Sequence, residues 1–208
     1  MNIILIGSQG SGKGTQAKLL QEKFGWTHIT TGDLFRENIK NRTELGKIAQ
    51  TFTDKGELVP DKYVFKIIED ALSKAEKGFI LDGFPRNLEQ AEFLLKKIRI
   101  DKVILLDLSD EVAIKRVSAR RICSNCKADY NLLYHQPELE GICDICGGKI
   151  IQRKDDTELA IKKRLEKFHH ETSRAIKLFA EKNMLIKVNA DRKLEEIQKE
   201  IISKLEKS

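Results

Sequence analysis

The segment from Gly7 to Thr15, GSQGSGKGT, combines glycines, hydroxyl groups and a lysine. It follows an apolar run at residues 2–6 and precedes a helical pattern from Gln16 to Phe24. Glycines let a chain turn tightly, so that successive backbone N–H groups can converge on one anion. The following helix would add the positive end of its dipole, and Lys13 an ammonium group. The segment therefore predicts a phosphate-binding loop.

The spacing of Gly7, Gly12 and Lys13 matches the P-loop, whose lysine reaches the β and γ phosphates of a nucleotide. Gly14 stands where the general pattern has Ser or Thr, and the hydroxyl follows one position later, at Thr15. A glycine-rich turn without a ligand is disfavoured because a strand and a helix flank the segment in the required order. The loop indicates a nucleotide phosphate but not which reaction.

Charged residues also follow other predicted strands. Thr31-Gly32-Asp33 and Arg36 follow a short strand, and Asp82-Gly83-Phe84-Pro85-Arg86 follows an apolar one. Ligands of open parallel sheets bind outside the carboxyl ends of the strands, so Asp82 and Arg86 should face the P-loop crevice. Asp82 is suited to hold magnesium, usually through water. Taken singly, these residues are better explained by a helix cap and a surface ion pair, but next to a P-loop a site is favoured.

All four cysteines lie in one segment, as two Cys-x-x-Cys pairs separated by sixteen residues: Cys123, Cys126, Cys143 and Cys146. Two such pairs predict a tetrahedral four-thiolate zinc site. Because four protein ligands leave no open position, the zinc would be structural. Disulfides are disfavoured by the cytoplasmic setting that we expect, and a redox Cys-x-x-Cys motif would normally occur once, at the start of a helix. Iron also accepts four thiolates, so the metal itself stays open.

The composition limits the class of protein. A chain of 208 residues that is 40% hydrophobic can form one sizeable core with inserted subdomains. Its 38 basic against 32 acidic residues give a net charge of +6, but the two signs are interspersed, which favours nucleotides over nucleic acid. The strand directly after Met1 and the lack of a membrane-length apolar run predict a cytoplasmic protein.

The apolar periodicity predicts an α/β fold of three layers, a five-stranded parallel sheet flanked by helices. The expected strands lie near residues 2–6, 28–30, 78–82, 102–108 and 185–189. We expect Thr31 or Asp33 to cap the second helix and Asp61 to cap a later one. Ser109 or Asp110 should open a helix that continues through Arg120 and Arg121.

Thr157 should start a long amphipathic helix through Arg164 and Leu178, and a closing helix should run from Lys193 to Lys207. The predicted core is residues 1–29, 60–119 and 157–208, with a helical monophosphate-binding insertion at 30–59 and a zinc-bearing lid at 120–156.

Together these motifs resemble adenylate kinase, a P-loop nucleoside monophosphate kinase, in its long form with a zinc-bearing lid. The resemblance extends from Met1 to about Asn189. Its marks are Gly7 to Thr15, Thr31-Gly32-Asp33 with Arg36, Asp82 to Arg86 with Gln90, Arg120-Arg121, and Arg153-Lys154-Asp155-Asp156.

The resemblance implies reversible transfer of the γ phosphoryl group of MgATP to AMP, giving two ADP. ATP would be bound by Gly10, Ser11, Gly12, Lys13, Gly14, Thr15, Arg116 and Arg120. AMP would be bound by Thr31, Arg36, Glu57, Val59, Gly83, Arg86, Gln90, Arg153 and Arg164. The catalytic cations would be Lys13, Arg120, Arg153 and Arg164, and Asp82 and Asp33 would hold Mg2+ through water. We expect a monomer that binds neither nucleic acid nor membrane.

The sequence departs from the family pattern at four positions. Gln9 stands where Pro is common, Ala119 where Gly is often found, Asn189 where Asp is often found, and Ala190 where Gly usually follows. None of these changes removes a phosphate ligand. We therefore expect them to affect the stiffness of the loop and the backbone contact with the adenine of ATP.

Two alternatives remain at this point. A kinase for CMP or UMP would share the P-loop and the arginines, although Gln90, four residues after Arg86, favours adenine. A zinc-ribbon ATPase or nucleic-acid-binding module would use the four cysteines differently. Against that module, the cysteine segment holds Asp129, Glu138, Glu140 and Asp144 and no stripe of alternating aromatic and basic residues.

Overall fold

The structure is a computed structural model that describes residues 1–53, 59–153 and 156–207. The chain opens with β1 (Asn2–Gly7), α1 (Lys13–Phe24) and β2 (Thr27–Thr30), followed by α2 (Thr31–Lys40), α3 (Glu44–Thr53) and α4 (Asp61–Ser73). Next come β3 (Phe79–Asp82), α5 (Leu88–Lys97), β4 (Lys102–Asp107) and α6 (Asp110–Ser118). A second sheet holds β5 (Arg120–Cys123), β6 (Asp129–Asn131) and β7 (Ile150–Ile151). The chain then forms α7 (Glu158–Lys167), a π-helical turn (Phe168–Thr172), α8 (Ser173–Glu181), β8 (Leu185–Asn189) and α9 (Leu194–Glu206).

The main sheet has five parallel strands in the order β2-β3-β1-β4-β8, which confirms the predicted fold class. Alternate residues of β1 point to opposite faces: Ile4 and Ile6 pack with α4, α5 and α8, while Ile3 and Leu5 pack with α1 and α9. Both faces are therefore covered by helices, which explains why residues 3–6 of β1 are an unbroken apolar run. The carboxyl ends of β1, β2 and β3 lie at one edge.

Two helix starts differ from the prediction. The cap of α2 is Thr30, whose Oγ1 accepts a hydrogen bond from Asp33 N at 3.1 Å, because the extended end of β2 orients that hydroxyl. Pro60 precedes α4, and Asp61 is its first helical residue. The carboxylate of Asp61 instead accepts hydrogen bonds from Asn87 and Gln90. Ser109 caps α6 as predicted.

The predicted continuation of α6 through Arg120 and Arg121 is wrong. The helix ends at Ser118, and both arginines lie in β5, the central strand of the antiparallel sheet β6-β5-β7. Hydrogen bonding to strands on both sides is a long-range effect that local periodicity does not reveal.

The predicted helix from Thr157 is present, with Thr157 as its cap, but the π-helical turn interrupts it. The turn ends at the buried Thr172, whose hydroxyl donates to the carbonyl oxygen of Arg86 at 2.7 Å. The turn thereby links this helix to the loop after β3. Among the described residues, no helix is long and apolar enough to span a membrane.

Candidate active site and metal centre

The P-loop turns directly out of β1 into α1. Gly10 adopts φ +85°, and a Cβ atom there would lie 3.0 Å from the carbonyl oxygen of Ala113 on α6, so a side chain would be strained and crowded. Ser11 N donates to Ser8 O at 3.2 Å, which closes the turn. The loop therefore packs closely on α6, the helix that leads to the second sheet.

The side chain of Lys13 folds back over the loop. Its ammonium group donates to the carbonyl oxygens of Gly7 and Ser8, each at 2.9 Å. Desolvation lowers the pKa of Lys13, Asp82 opposes the shift, and repulsion from Arg86 and Arg120 adds to it. A phosphate bound in the loop would relieve that repulsion.

Asp82 ends β3 and faces the P-loop. Its Oδ2 lies 3.8 Å from the position that a Cβ atom of Gly14 would take and 3.7 Å from Nε2 of His28. Asp33 lies at the start of α2, and its carboxylate accepts from Arg36 Nη2 at 2.6 Å and from Thr30 Oγ1 at 2.9 Å. Burial raises the pKa of Asp33, but these two hydrogen bonds outweigh it, so the net shift is downward.

The loop after β3 brings together residues predicted to bind a monophosphate. The carbonyl oxygen of Gly83 accepts from Thr31 Oγ1 at 3.1 Å and from Arg86 Nε at 2.8 Å. Gly83 has φ +79°, and a Cβ atom would lie only 2.9 Å from Thr31 Oγ1, so the turn requires glycine. Val59 packs against the adjoining core, whereas Glu57 lies outside the described residues.

Gln90 is 5% exposed and is held by two protein groups. Its Oε1 accepts from Arg86 N at 2.7 Å, and its Nε2 donates to Asp61 Oδ1 at 2.7 Å. A primary amide has two N–H groups and two acceptor positions, so one of each remains. The orientation of Gln90 is thus fixed by Asp61, which the sequence did not reveal as a site residue.

Asp156 is the common partner of two predicted arginines. Its side chain is fully buried and accepts two hydrogen bonds from Arg120, Nε at 2.8 Å and Nη2 at 2.5 Å. Arg164 Nη1 lies 3.9 Å from Asp156 Oδ1. The same oxygen accepts from Gln9 Nε2 of the P-loop at 3.1 Å. The sequence marked Gln9 only as a departure from the proline that is common at this position, and it did not predict this contact.

The other two predicted arginines, Arg116 and Arg153, pair with groups other than Asp156. Arg153 Nη2 lies 3.5 Å from Asp129 Oδ1. Arg116 donates to the carbonyl oxygen of Ala190 at 2.9 Å, and its guanidinium lies 5.5 Å from the ring centroid of Tyr134.

Several of these cations are close enough to repel one another. Desolvation lowers the pKa of Arg86, Asp82 opposes the shift, and Arg164 adds to it. For Arg153, desolvation and repulsion from Arg120 and Arg36 lower the pKa. The P-loop, α2, the loop after β3, β5 and α7 therefore all direct positive charge to one region, as binding of polyphosphates requires.

The four cysteines form one cluster, in which all sulfur atoms lie within 4.8 Å of one another. The Cys123–Cys146 and Cys126–Cys143 sulfur distances are both 3.5 Å. A tetrahedron of thiolates with zinc–sulfur bonds of about 2.3 Å has edges of about 3.8 Å, so the cluster fits a zinc ion. The four predicted ligands are therefore close enough together to bind one metal ion.

Neighbouring groups prepare the cluster for a cation. Tyr130 OH donates to Cys143 Sγ at 3.3 Å, and together with the backbone N–H groups of Cys146 and Ile145 it lowers the pKa of that thiol to about 6. The Ala128 amide lowers the pKa of Cys126, but the nearby sulfurs, led by Cys146, outweigh this effect and raise the pKa to about 12. Four sulfurs at this spacing need a bound cation to ionise together.

A glycine-rich loop at the carboxyl edge of a covered parallel sheet characterises P-loop nucleotide-binding proteins, and the many guanidinium groups around it suit a phosphotransferase. The family model for adenylate kinase matches residues 5–184. The chain is 46% identical to the adenylate kinase of Caldicellulosiruptor bescii over 99% of both chains. It is 44% identical to that of Clostridium tetani over 95% of this chain and 94% of the relative. For Methanocella arvoryzae the identity is 42%, over 100% of this chain and 99% of the relative.

This chain therefore belongs to the adenylate kinase family. The family's activity is reversible phosphoryl transfer between ATP and AMP to give ADP, which makes the protein a nucleotide kinase.

Proposed function

We propose that this protein transfers the γ phosphoryl group of MgATP in line to AMP, giving two ADP, in a closed crevice lined by arginines. Family membership supports the reaction, and the mutually repelling cations around the P-loop support the mechanism. Phosphoryl transfer needs little covalent assistance but accurate positioning and charge neutralisation. Guanidinium groups supply both, because they stay charged and bind phosphate oxygens in pairs.

On the ATP side, the backbone from Gly10 to Thr15 would cradle the phosphates. Lys13 would exchange the carbonyl oxygens of Gly7 and Ser8 for β and γ phosphate oxygens. Arg116 would lie against the base, since the carbonyl oxygen of Ala190 already fixes its guanidinium.

On the AMP side, the residues proposed to bind are Thr31, Arg36, Glu57, Val59, Gly83, Arg86, Gln90, Arg153 and Arg164. Arg36 and Arg86 would grip the phosphate of AMP. The free N–H and acceptor position of the Gln90 amide would pair with the adenine edge, which presents one acceptor beside one donor. The fixed orientation of Gln90 supports adenine over pyrimidines.

The transferred group would meet Lys13, Arg120, Arg153 and Arg164. Arg120 uses only Nε and Nη2 in its pair with Asp156, so its other N–H groups are open to phosphate oxygens. Residues 30–59 would close over AMP and residues 120–156 over ATP, excluding water from the reaction.

Two metals are part of the proposal. Asp82 and Asp33 would hold Mg2+ through water, and the ion would offset phosphate charge. Structural Zn2+ would be bound by Cys123, Cys126, Cys143 and Cys146, and would make the lid move as one body. The other partners are ATP, AMP and ADP, and we propose a cytoplasmic monomer that binds neither nucleic acid nor membrane.

A coupled assay of ADP formed from ATP plus AMP tests this function, with CMP and UMP as competing acceptors and metal content measured on the same sample. We expect the highest rate with AMP and one zinc per chain. A higher rate with CMP or UMP would contradict the acceptor, and no ADP would contradict the reaction.

A further inference from the structure

Gln9 connects the P-loop with a residue far along the chain. Its Nε2 donates to Oδ1 of Asp156 at 3.1 Å across a separation of 147 residues. Its Oε1 is buried and has no hydrogen-bond partner within the described residues, so the donated bond is what fixes the amide. Proline, which is common at this position in the family, has no side-chain N–H group and could not make this contact.

Asp156 is a carboxylate that must be fully satisfied, because its side chain has no exposed surface. Arg120 of β5 binds both of its oxygens in a bidentate pair, and Gln9 binds Oδ1. Arg164 of α7 approaches that oxygen as well. One carboxylate thus ties together the P-loop, β5 and α7.

A bidentate pair between a guanidinium and a carboxylate is planar and directional, so the position of Asp156 sets that of Arg120. Gln9 holds the carboxylate at a fixed distance from the loop that would bind the phosphates. Because the Gln9 amide carries no charge, it does not compete with Arg120 for binding to a negatively charged phosphate.

We propose that Gln9 is a positioning residue for phosphoryl transfer: through Asp156 it places Arg120, and with it Arg164, over the phosphate held by the P-loop. The inference rests on the proposed function. It assigns to Gln9 an effect on kcat, since an arginine held slightly off the in-line geometry loses stabilisation of the transition state more than of bound substrate.

The test compares Gln9→Met, which keeps the length of the side chain but removes the N–H donor, with Gln136→Met. Gln136 belongs to the same segment of residues 120–156, but it is exposed and donates to the carbonyl oxygen of Leu132 at 2.6 Å instead of to Asp156. We expect kcat to fall about tenfold for Gln9→Met with KM for ATP and AMP within about twofold, because misplacement of a catalytic group acts on the chemical step. We expect kcat to stay unchanged for Gln136→Met.

The decisive comparison introduces Gln9→Met into a protein that already carries Arg120→Met. If Gln9 acts through Arg120, Gln9→Met should cost almost nothing further once Arg120 is gone, whereas an unrelated structural defect would multiply the losses. Gln9→Ala serves as a second variant should Gln9→Met melt at a lower temperature. A wild-type kcat in both Gln9 variants, or fully additive losses with Arg120→Met, would overturn the inference. Failure of the wild-type protein to form ADP would instead overturn the proposed function.

Discussion

Lys13 shows how much of the site is encoded in a few residues. The spacing around it predicted a phosphate-binding loop, because the glycines and the helix start are local properties of the chain. The structure adds that the ammonium group is held by two carbonyl oxygens of its own loop and is surrounded by Arg86 and Arg120. An incoming phosphate would therefore replace these two carbonyl oxygens as the acceptor of the ammonium group.

We expect Lys13→Met to lose at least a thousandfold in kcat, about 4 kcal/mol of transition-state stabilisation, in a protein that remains folded. The coupled ADP assay measures the loss and thermal melting checks the fold. Lys23→Met, on the exposed last turn of α1, is the control and should keep its activity. A near-normal rate for Lys13→Met would contradict the assignment.

The hydroxyl of Tyr130 supports a second prediction about a single residue. Its hydrogen bond is the largest of the effects that lower the pKa of Cys143 to about 6, and a lower pKa makes the thiolate more available to a metal at neutral pH. Tyr130→Phe should let that pKa rise toward its ordinary value. At pH values below the raised pKa, protons would then compete with the metal for the sulfur atom. We expect about tenfold weaker zinc affinity at pH 7 and a smaller difference at pH 9.

Chelator competition at the two pH values measures this effect. Tyr134→Phe is the matched control, because Tyr134 is exposed and packs near Arg116 rather than on a sulfur. An affinity loss that is equal at both pH values would argue against the pKa mechanism.

The secondary-structure elements were predictable where the signal is local. β1 and α1 follow from periodicity, and the capping of α6 by Ser109 and of α7 by Thr157 follows from residue type. The end of α6 was misjudged, because strand pairing in the second sheet decides it. The π-helical turn between α7 and α8 was also missed, since nothing in the apolar pattern marks an extra residue per turn.

That turn supports a prediction about the AMP side. Thr172→Val should raise KM for AMP several-fold, because it leaves the carbonyl oxygen of Arg86 without the hydroxyl that orients its loop. Thr172→Ser retains the hydroxyl and should restore KM. Steady-state kinetics with AMP as the varied substrate separate the two variants. Equal KM values for Val and Ser would mean that the hydroxyl does not orient the loop.

The cysteine-bearing sheet is expected to depend on its metal. Removing zinc should lower the melting temperature more than it changes kcat, because the four thiolates stabilise β5, β6 and β7 rather than contact substrate. Differential scanning calorimetry and the coupled assay on the same apo sample measure both quantities. An apo-protein as stable as the zinc-loaded one would contradict a structural role.

The complete fold brings together residues that lie far apart in the sequence, and no local sequence pattern predicts which of them meet. The parallel sheet places the ends of β1 and β3 side by side, which sequence reasoning anticipated from the general rule for such sheets. The link from Gln9 to Asp156 could not be anticipated, because it joins side chains 147 residues apart. The family resemblance assigned Gln90 to AMP, but its support by Asp61 depends on how α4 packs against α5.

The proposed crevice has two phosphate-binding halves, so a ligand that fills both should stabilise the molecule more than either nucleotide alone. Two adenosines joined by a chain of phosphates would place negative charge beside Lys13 and beside Arg86 at once, relieving repulsion that ATP or AMP relieves only in part. At a concentration a hundred times its Kd, such a ligand adds about 2.7 kcal/mol to the free energy of unfolding. We expect a larger rise in melting temperature than with ATP or AMP at the same concentration, and a much smaller rise in Lys13→Met. An analogue carrying cytidine in place of one adenosine is the control. Because we propose that Gln90 pairs with an adenine edge, this analogue should stabilise less, and equal stabilisation by both analogues would contradict adenine selection by Gln90.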